Sequence, residues 1–242
     1  MEKSKMTSPV GVIFKRELAA YFTSPIAYIV TGLFLIFSAV MFFSTFFIIG
    51  RADLRNFFGL LPLLFAFFIP ALTMRTFSEE TRSGSIETLM TLPVTSFDVV
   101  LGKYLASFVC SCSMLIPTLF YVLTACIFGS PDFGPILGGY IGAIFLLAGF
   151  TAIGIFASSL TNNQIVAFFI AFSISILLAM IDSFLFLLPS VFVDFLGFFS
   201  AGSHFASISR GILDSRDLLY FISLTVLFFA MTVKSLSARR TA

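Results

Sequence analysis

Long apolar stretches alternate with short polar connections along this chain, and their lengths predict six membrane-crossing helices. A helix needs about 20 apolar residues to cross the hydrocarbon core. Residues 28–49 meet that requirement without a charge, 57–74 is shorter and carries Pro62 and Pro70, and 104–128 holds Pro117. The fourth stretch, 136–159, follows a turn of Gly129, Ser130, Pro131 and Asp132. The polar run Thr161, Asn162, Asn163, Gln164 then reverses the chain into 165–188, and 218–233 is the last span. The prolines predict kinks, tolerated where neighbours or water satisfy the freed carbonyls.

One apolar patch fails the length test. Residues 191–199, interrupted by Asp194, reach only roughly 14 Å as a helix, about half the core. They are expected to dip in and return, or to lie at the interface, within an external re-entrant region over 189–217. Ahead of the first span, Val10, Ile13, Phe14, Leu18, Tyr21 and Phe22 recur at helical spacing around Lys15, Arg16 and Glu17. This pattern predicts an amphipathic helix over 9–24 lying on the membrane surface, with a soluble connector helix as the alternative. Thr23, Ser24 and Pro25 end it. The predicted fold class is an all-α membrane protein, one transmembrane domain over 1–242.

Composition agrees with the pattern. Of 242 residues, 59% are hydrophobic and 11% charged, against roughly 25% charged in soluble domains, and the mean hydropathy is +1.08. A net charge of +2 without a dense basic tract argues against nucleic acid as a partner. Cys110, Cys112 and Cys126 fit neither a disulfide framework nor a zinc site and read as small buried hydrophobes. Lys3 and Lys5 stand too far from the first apolar run for a cleaved leader. The 35 phenylalanines satisfy lipid and identify no cargo.

Lysine and arginine set the expected orientation. With the N-terminus inside, the inner segments hold Lys3, Lys5, Lys15, Arg16, Arg75, Arg82, Lys103, Lys234, Arg239 and Arg240, and the outer ones Arg51, Arg55, Arg210 and Arg216. Ten against four places both termini in the cytoplasm and excludes a seventh span at 191–199. Tryptophan is absent, so Tyr28, Tyr104, Tyr140 and Tyr220, near the starts of spans, take the role of interfacial anchors.

The polar centre is the inner connection 75–94, with Glu79, Glu80, Arg82, Gly84, Ser85, Ile86, Glu87, Leu89, Met90 and Pro93. Ser85 can cap a short helix showing Ile86, Leu89 and Met90 on its apolar side, with Pro93 forcing its end. A docking surface for a soluble partner and an ordinary solvated loop both fit this spacing. Asp182 suits a polar contact near the outer surface, or a substrate or proton site. His204 suits a structural or gate-lining role, and Arg210, Asp214 and Asp217 could pair at helical spacing as a clamp. No G-x-x-x-x-G-K-[ST] phosphate loop occurs, so nucleotide chemistry is not expected in this chain. H-E-x-x-H, G-x-S-x-G and converging carboxylates are also missing, which disfavours an enzyme.

The run Pro70, Ala71, Leu72, Thr73, Met74, Arg75, followed by Glu79, Glu80, Arg82, Gly84, Ser85, Ile86, Glu87, Leu89 and Pro93, resembles the permease subunits of type 2 ABC exporters. It is most similar to the gliding-motility type. Ser85 and Met90 stand where Thr and Leu are common in that family. The resemblance extends to Phe205, Ser209, Arg210, Gly211, Asp214, Asp217, Tyr220 and Phe221 ahead of the last span.

It implies a coupling helix seated on a separate ABC ATPase that holds the ATP and magnesium, and no cofactor in this chain. It also implies a second permease protomer, in a homodimer or heterodimer, with room for an accessory subunit. Short re-entrant helices over 191–209 would lie near an outer gate, all in a bacterial inner membrane. A secondary transporter and a non-transporting anchor for an ATPase are the competing readings; the first would place ionisable groups at the midplane and show internal repeats.

Overall fold

The structure is a computed structural model that describes residues 9–49, 53–86, 94–129, 131–184, 197–212 and 214–241. It is 88% helical and has no strands among the described residues. Helix α1 spans Pro9–Thr23 and α2 spans Pro25–Ile49. They part at Ser24, because Pro25 is preorganised for a first helical position and cannot continue the preceding ladder. Helix α3 covers Arg55–Thr73, and α4, Arg75–Ser83, continues its path after Met74, whose backbone keeps right-handed helical angles. Helices α5 (Ser96–Ser113) and α6 (Leu119–Phe128) follow, then α7 (Phe133–Leu160), α8 (Gln164–Phe184), α9 (Ala201–Ser209) and α10 (Ser215–Thr241).

Five of these paths are long and apolar enough to cross a membrane, and α6 is a shorter apolar helix. The expected third span is therefore built from two pieces. Between them Met114, Leu115, Ile116 and Thr118 donate backbone hydrogen bonds to carbonyls three residues back. Pro117 has no N–H to give and crowds the turn before it, so the α-helical ladder tightens and stops. The first piece also starts earlier than expected. Thr95 accepts from Asp98 N while the Asp98 carboxylate accepts from Thr95 N, a reciprocal cap that fixes the start of α5 at Ser96. Thr95→Ala removes half of that cap and is expected to cost about 0.5–2 kcal/mol, read as a lower unfolding midpoint in detergent.

Helix α7 is the axis of the bundle, with most of its length buried and α3, α8, α9 and α10 packed around it. Its glycines allow this. A methyl group on Gly139 would sit 2.5 Å from the Phe58 ring of α3, and one on Gly142 would be 3.0 Å from Ile208 of α9. At Gly138 it would meet the backbone carbonyl of Ile208, and at Gly154 the hydroxyl of Thr73. In lipid, helices associate through such close backbone approach, because water supplies no hydrophobic drive between them.

The interruption of the ladder between α3 and α4 has a specific partner on α7. The Ser158 hydroxyl of α7 accepts from the N–H groups of Phe77 (2.9 Å) and Ser78 (3.1 Å) and donates to the Met74 carbonyl (2.8 Å). A side chain inserted into the ladder in this way keeps the backbone groups there paired.

Candidate functional site: a charged junction of three helices

Helix α4 carries the chain beyond the apolar length of α3, and its inner face meets α1 and α5. At the meeting point lies Lys103 of α5, only 1% exposed. Its ammonium has three N–H donors, and three acceptors surround it: Glu80 Oε1 at 2.9 Å, Glu17 Oε1 at 3.0 Å and the Thr76 carbonyl at 3.0 Å. The nitrogen also stands 5.2 Å from the centre of the Phe77 ring. Arg16 closes the cluster from α1, 2.6 Å from Glu17 and 3.2 Å from Glu80. Behind the charges, the buried Tyr21 hydroxyl bonds both Thr76 Oγ1 (3.0 Å) and Ser107 Oγ (2.9 Å), so α1, α4 and α5 share one polar network. A cavity of about 410 Å³ opens beside it, lined by Arg16, Glu17, Arg75, Glu79, Glu80 and Lys103 among others.

These contacts shift protonation. Burial opposes the charge on Glu17, but Lys103 beside it and hydrogen bonds from Arg16 and Lys103 outweigh that, leaving its carboxyl below the ordinary range. The hydrogen bond to Glu17 holds the Arg16 guanidinium charged even more firmly than usual. A carboxyl whose folded-state pKa is depressed contributes stability that is full above its unfolded value, near 4.5, and is lost as pH falls through the folded value. Acidification below pH about 4.5 is thus expected to loosen α1 from α4 and α5. Protease accessibility of α1, compared between wild type and Glu17→Gln, checks this, because the variant should lack the acid-dependent step.

The sequence-predicted residues divide. Glu79 is half exposed and pairs with Arg75 at 3.1 Å, while Arg75 also donates to Ser24 Oγ. Glu80 turns inward to Lys103 and Arg16, where it cannot also serve an external partner. Arg82 and Ser85 are exposed, and Gly84 ends α4 in the left-handed conformation (φ 74°) that favours glycine. Ile86, expected on a displayed apolar side, is instead buried with Ile13, Phe77, Val99, Val100, Ile155 and Leu236. Glu87, Leu89, Met90 and Pro93 lie outside the described residues.

Sequence reasoning missed Lys103 by assigning it to a loop, and it passed over Glu17 and Tyr21. The available signal was a lysine immediately before an apolar run, with an acid on the amphipathic helix ahead of the first span. At the C-terminal end, Arg239 donates to Thr81 Oγ1 at 3.3 Å, bringing α10 to the same helix.

At the other end of the bundle, Phe205 is buried on α9 against Gly142. Gly211, at φ 87°, makes the left-handed turn after Arg210. Asp214 Oδ1 accepts from Arg216 N at 2.9 Å, capping α10. The expected clamp of Arg210 with Asp214 and Asp217 does not form among the described residues. Arg210 is exposed, and Asp217 is turned into the bundle, 2.6 Å from His204. Asp182 lies beside Gly202, and residues 185–196, with most of the expected re-entrant patch, fall outside the described residues. Among the described residues no cluster of three or more His, Cys, Asp or Glu side chains could hold a metal ion.

A family model described as ABC-2 family transporter protein matches residues 26–238. No curated protein matches the chain.

Proposed function

Because the chain belongs to the ABC-2 family of transporter proteins, we propose that it is the permease of an exporter of the gliding-motility type, driven by ATPase subunits on separate chains. The family makes it the multi-pass membrane component of an ABC-type transporter and implies an ABC ATPase as its partner. The observation that supports coupling to separate ATPase subunits is the way α4 is held. Ser158 fixes its start to α7, Glu80 binds it to α1 and α5 through Lys103, and Thr81 meets the tail of α10 through Arg239. A force applied near Arg82 and Gly84 would reach four other helices through polar contacts that are short and directional.

In this reading ATP binding closes two ATPase subunits, the segment after Gly84 moves with them, and the displacement passes along α4 into α3 and opens a path between two permease protomers. Glu79 and Arg82 face the ATPase and give orientation more than affinity. The lysine and arginine bias supports an orientation with both termini in the cytoplasm, and the likeness to type 2 ABC exporters suggests a bacterial inner membrane.

Co-purification with the co-expressed ATPase tests the contact. Arg82→Glu is expected to reduce ATPase association and ATP-dependent transport severalfold while leaving the unfolding midpoint unchanged. Unaltered association and transport would remove the coupling role. Flux into vesicles with ATP trapped inside or omitted separates this reading from a secondary transporter and from a non-transporting anchor.

A further inference from the structure

Both ring nitrogens of His204 face acceptors. Nδ1 lies 2.6 Å from Asp217 Oδ1, and Nε2 lies 3.0 Å from the Phe198 carbonyl oxygen. A carboxylate oxygen and a carbonyl oxygen accept hydrogen bonds and cannot donate them. A neutral imidazole carries one N–H and can serve only one of the two, so its second nitrogen would turn a lone pair toward an oxygen lone pair. The imidazolium serves both. The same extra proton placed on Asp217 would also serve, by donating to Nδ1 while Nε2–H donates to Phe198. Either way the arrangement holds one proton more than a carboxylate beside a neutral ring. We propose that His204 and Asp217 form a proton-binding clamp, closed while that proton is bound and loosened when it leaves.

The surroundings make the proton consequential. Asp217 is 7% exposed, and its Oδ2 has no hydrogen-bond partner. Without the proton, a buried carboxylate would face a neutral ring with little to offset its desolvation. The His204 ring stacks on Tyr220 with centroids 4.2 Å apart, and the Tyr220 hydroxyl donates to the Phe199 carbonyl at 2.7 Å. The clamp therefore ties residues 198 and 199, helix α9 and the start of α10 together.

Few other ionisable groups are near enough to substitute. Helix α10 brings Asp217, Tyr220 and the exposed Arg216 to this end. Helix α8 brings Asp182 to Gly202, two residues before His204. The ionisable side chain of α7 is Tyr140, engaged with Thr118, and that of α3 is Arg55, paired with Asp53. Arg210 and Asp214 are exposed, and Asp214 caps α10. The bound proton favours closure, so the clamp should be closed at low pH and open as pH rises.

The chain has a single histidine, so nitrogen-15 histidine labelling of the full-length protein in detergent gives one imidazole to follow. Wild type is expected to hold the extra proton to higher pH than Asp217→Asn. Coincident titration curves would overturn the proposal. Thermal unfolding followed between about pH 5 and 8 gives a second readout. The wild-type midpoint should fall as pH rises while that of His204→Gln stays level, and parallel curves would likewise overturn it.

Discussion

Replacing Lys103 with methionine is expected to destabilise the protein by about 3–5 kcal/mol, the largest loss for any single substitution at the junction. The methionine fills most of the space but removes the ammonium from Glu17, Glu80 and the Thr76 carbonyl, leaving Arg16 alone to face two carboxylates. A buried pair broken from one side costs far more than the pair contributes when whole, because the remaining charge keeps its desolvation penalty. Adding Glu17→Gln and Glu80→Gln to the lysine variant should therefore recover part of the loss. Three single variants and their combinations, compared by thermal unfolding in detergent, measure this coupling. Lys103→Arg should fall between wild type and Lys103→Met, since a planar fork cannot reproduce three donors around one nitrogen. A Lys103→Met protein as stable as wild type would mean that the cluster holds nothing together.

Gly138→Ala is the second large effect, expected at about 1–3 kcal/mol. The added methyl would collide with the backbone carbonyl of Ile208 and with Gly211, neither of which can rotate aside as a side chain could. Helix α9 would have to lift from α7, taking Phe205 and Ile208 with it. Gly32→Ala is the control. Nothing lies within 4 Å of the methyl it would add, so within helix α2 it should raise stability by about 0.5–1 kcal/mol. Opposite signs at two helical glycines, measured as folded yield and unfolding midpoint, would establish close packing as the reason α7 is rich in this residue.

Where the chain had to satisfy lipid, it was readable. Uninterrupted apolar length marked α2, α7 and α8 to within a few residues, and Ser24–Pro25 marked the end of α1. The polar elements were harder. Helix α4 reads as a loop because its nine residues lack an apolar stripe; it is helical because Thr76, Phe77 and Ser78 are buried against neighbours that local spacing does not reveal. Lys103 looked like an ordinary inner-loop cation. Its burial depends on Glu17 and Glu80, which come from two other helices, and no local window contains all three. Pro117 was visible as a disturbance, but its consequence, a tightened turn over residues 114–118 that parts α5 from α6, could not be told from a simple kink by the residue alone. His204 and Asp217 are separated by a turn and fit no helical period, so their pairing required the path between α9 and α10.

The Tyr21 hydroxyl joins residues 55 and 86 positions further along the chain. During synthesis, α1 leaves the ribosome long before either partner exists, and it must wait at the membrane surface with Arg16 and Glu17 still solvated. Only once Lys103 and Ser107 have emerged can the three helices lock, and the Arg239 contact to Thr81 comes last of all. Nascent chains arrested before residue 103 should therefore leave α1 open to protease, whereas chains released at full length protect it.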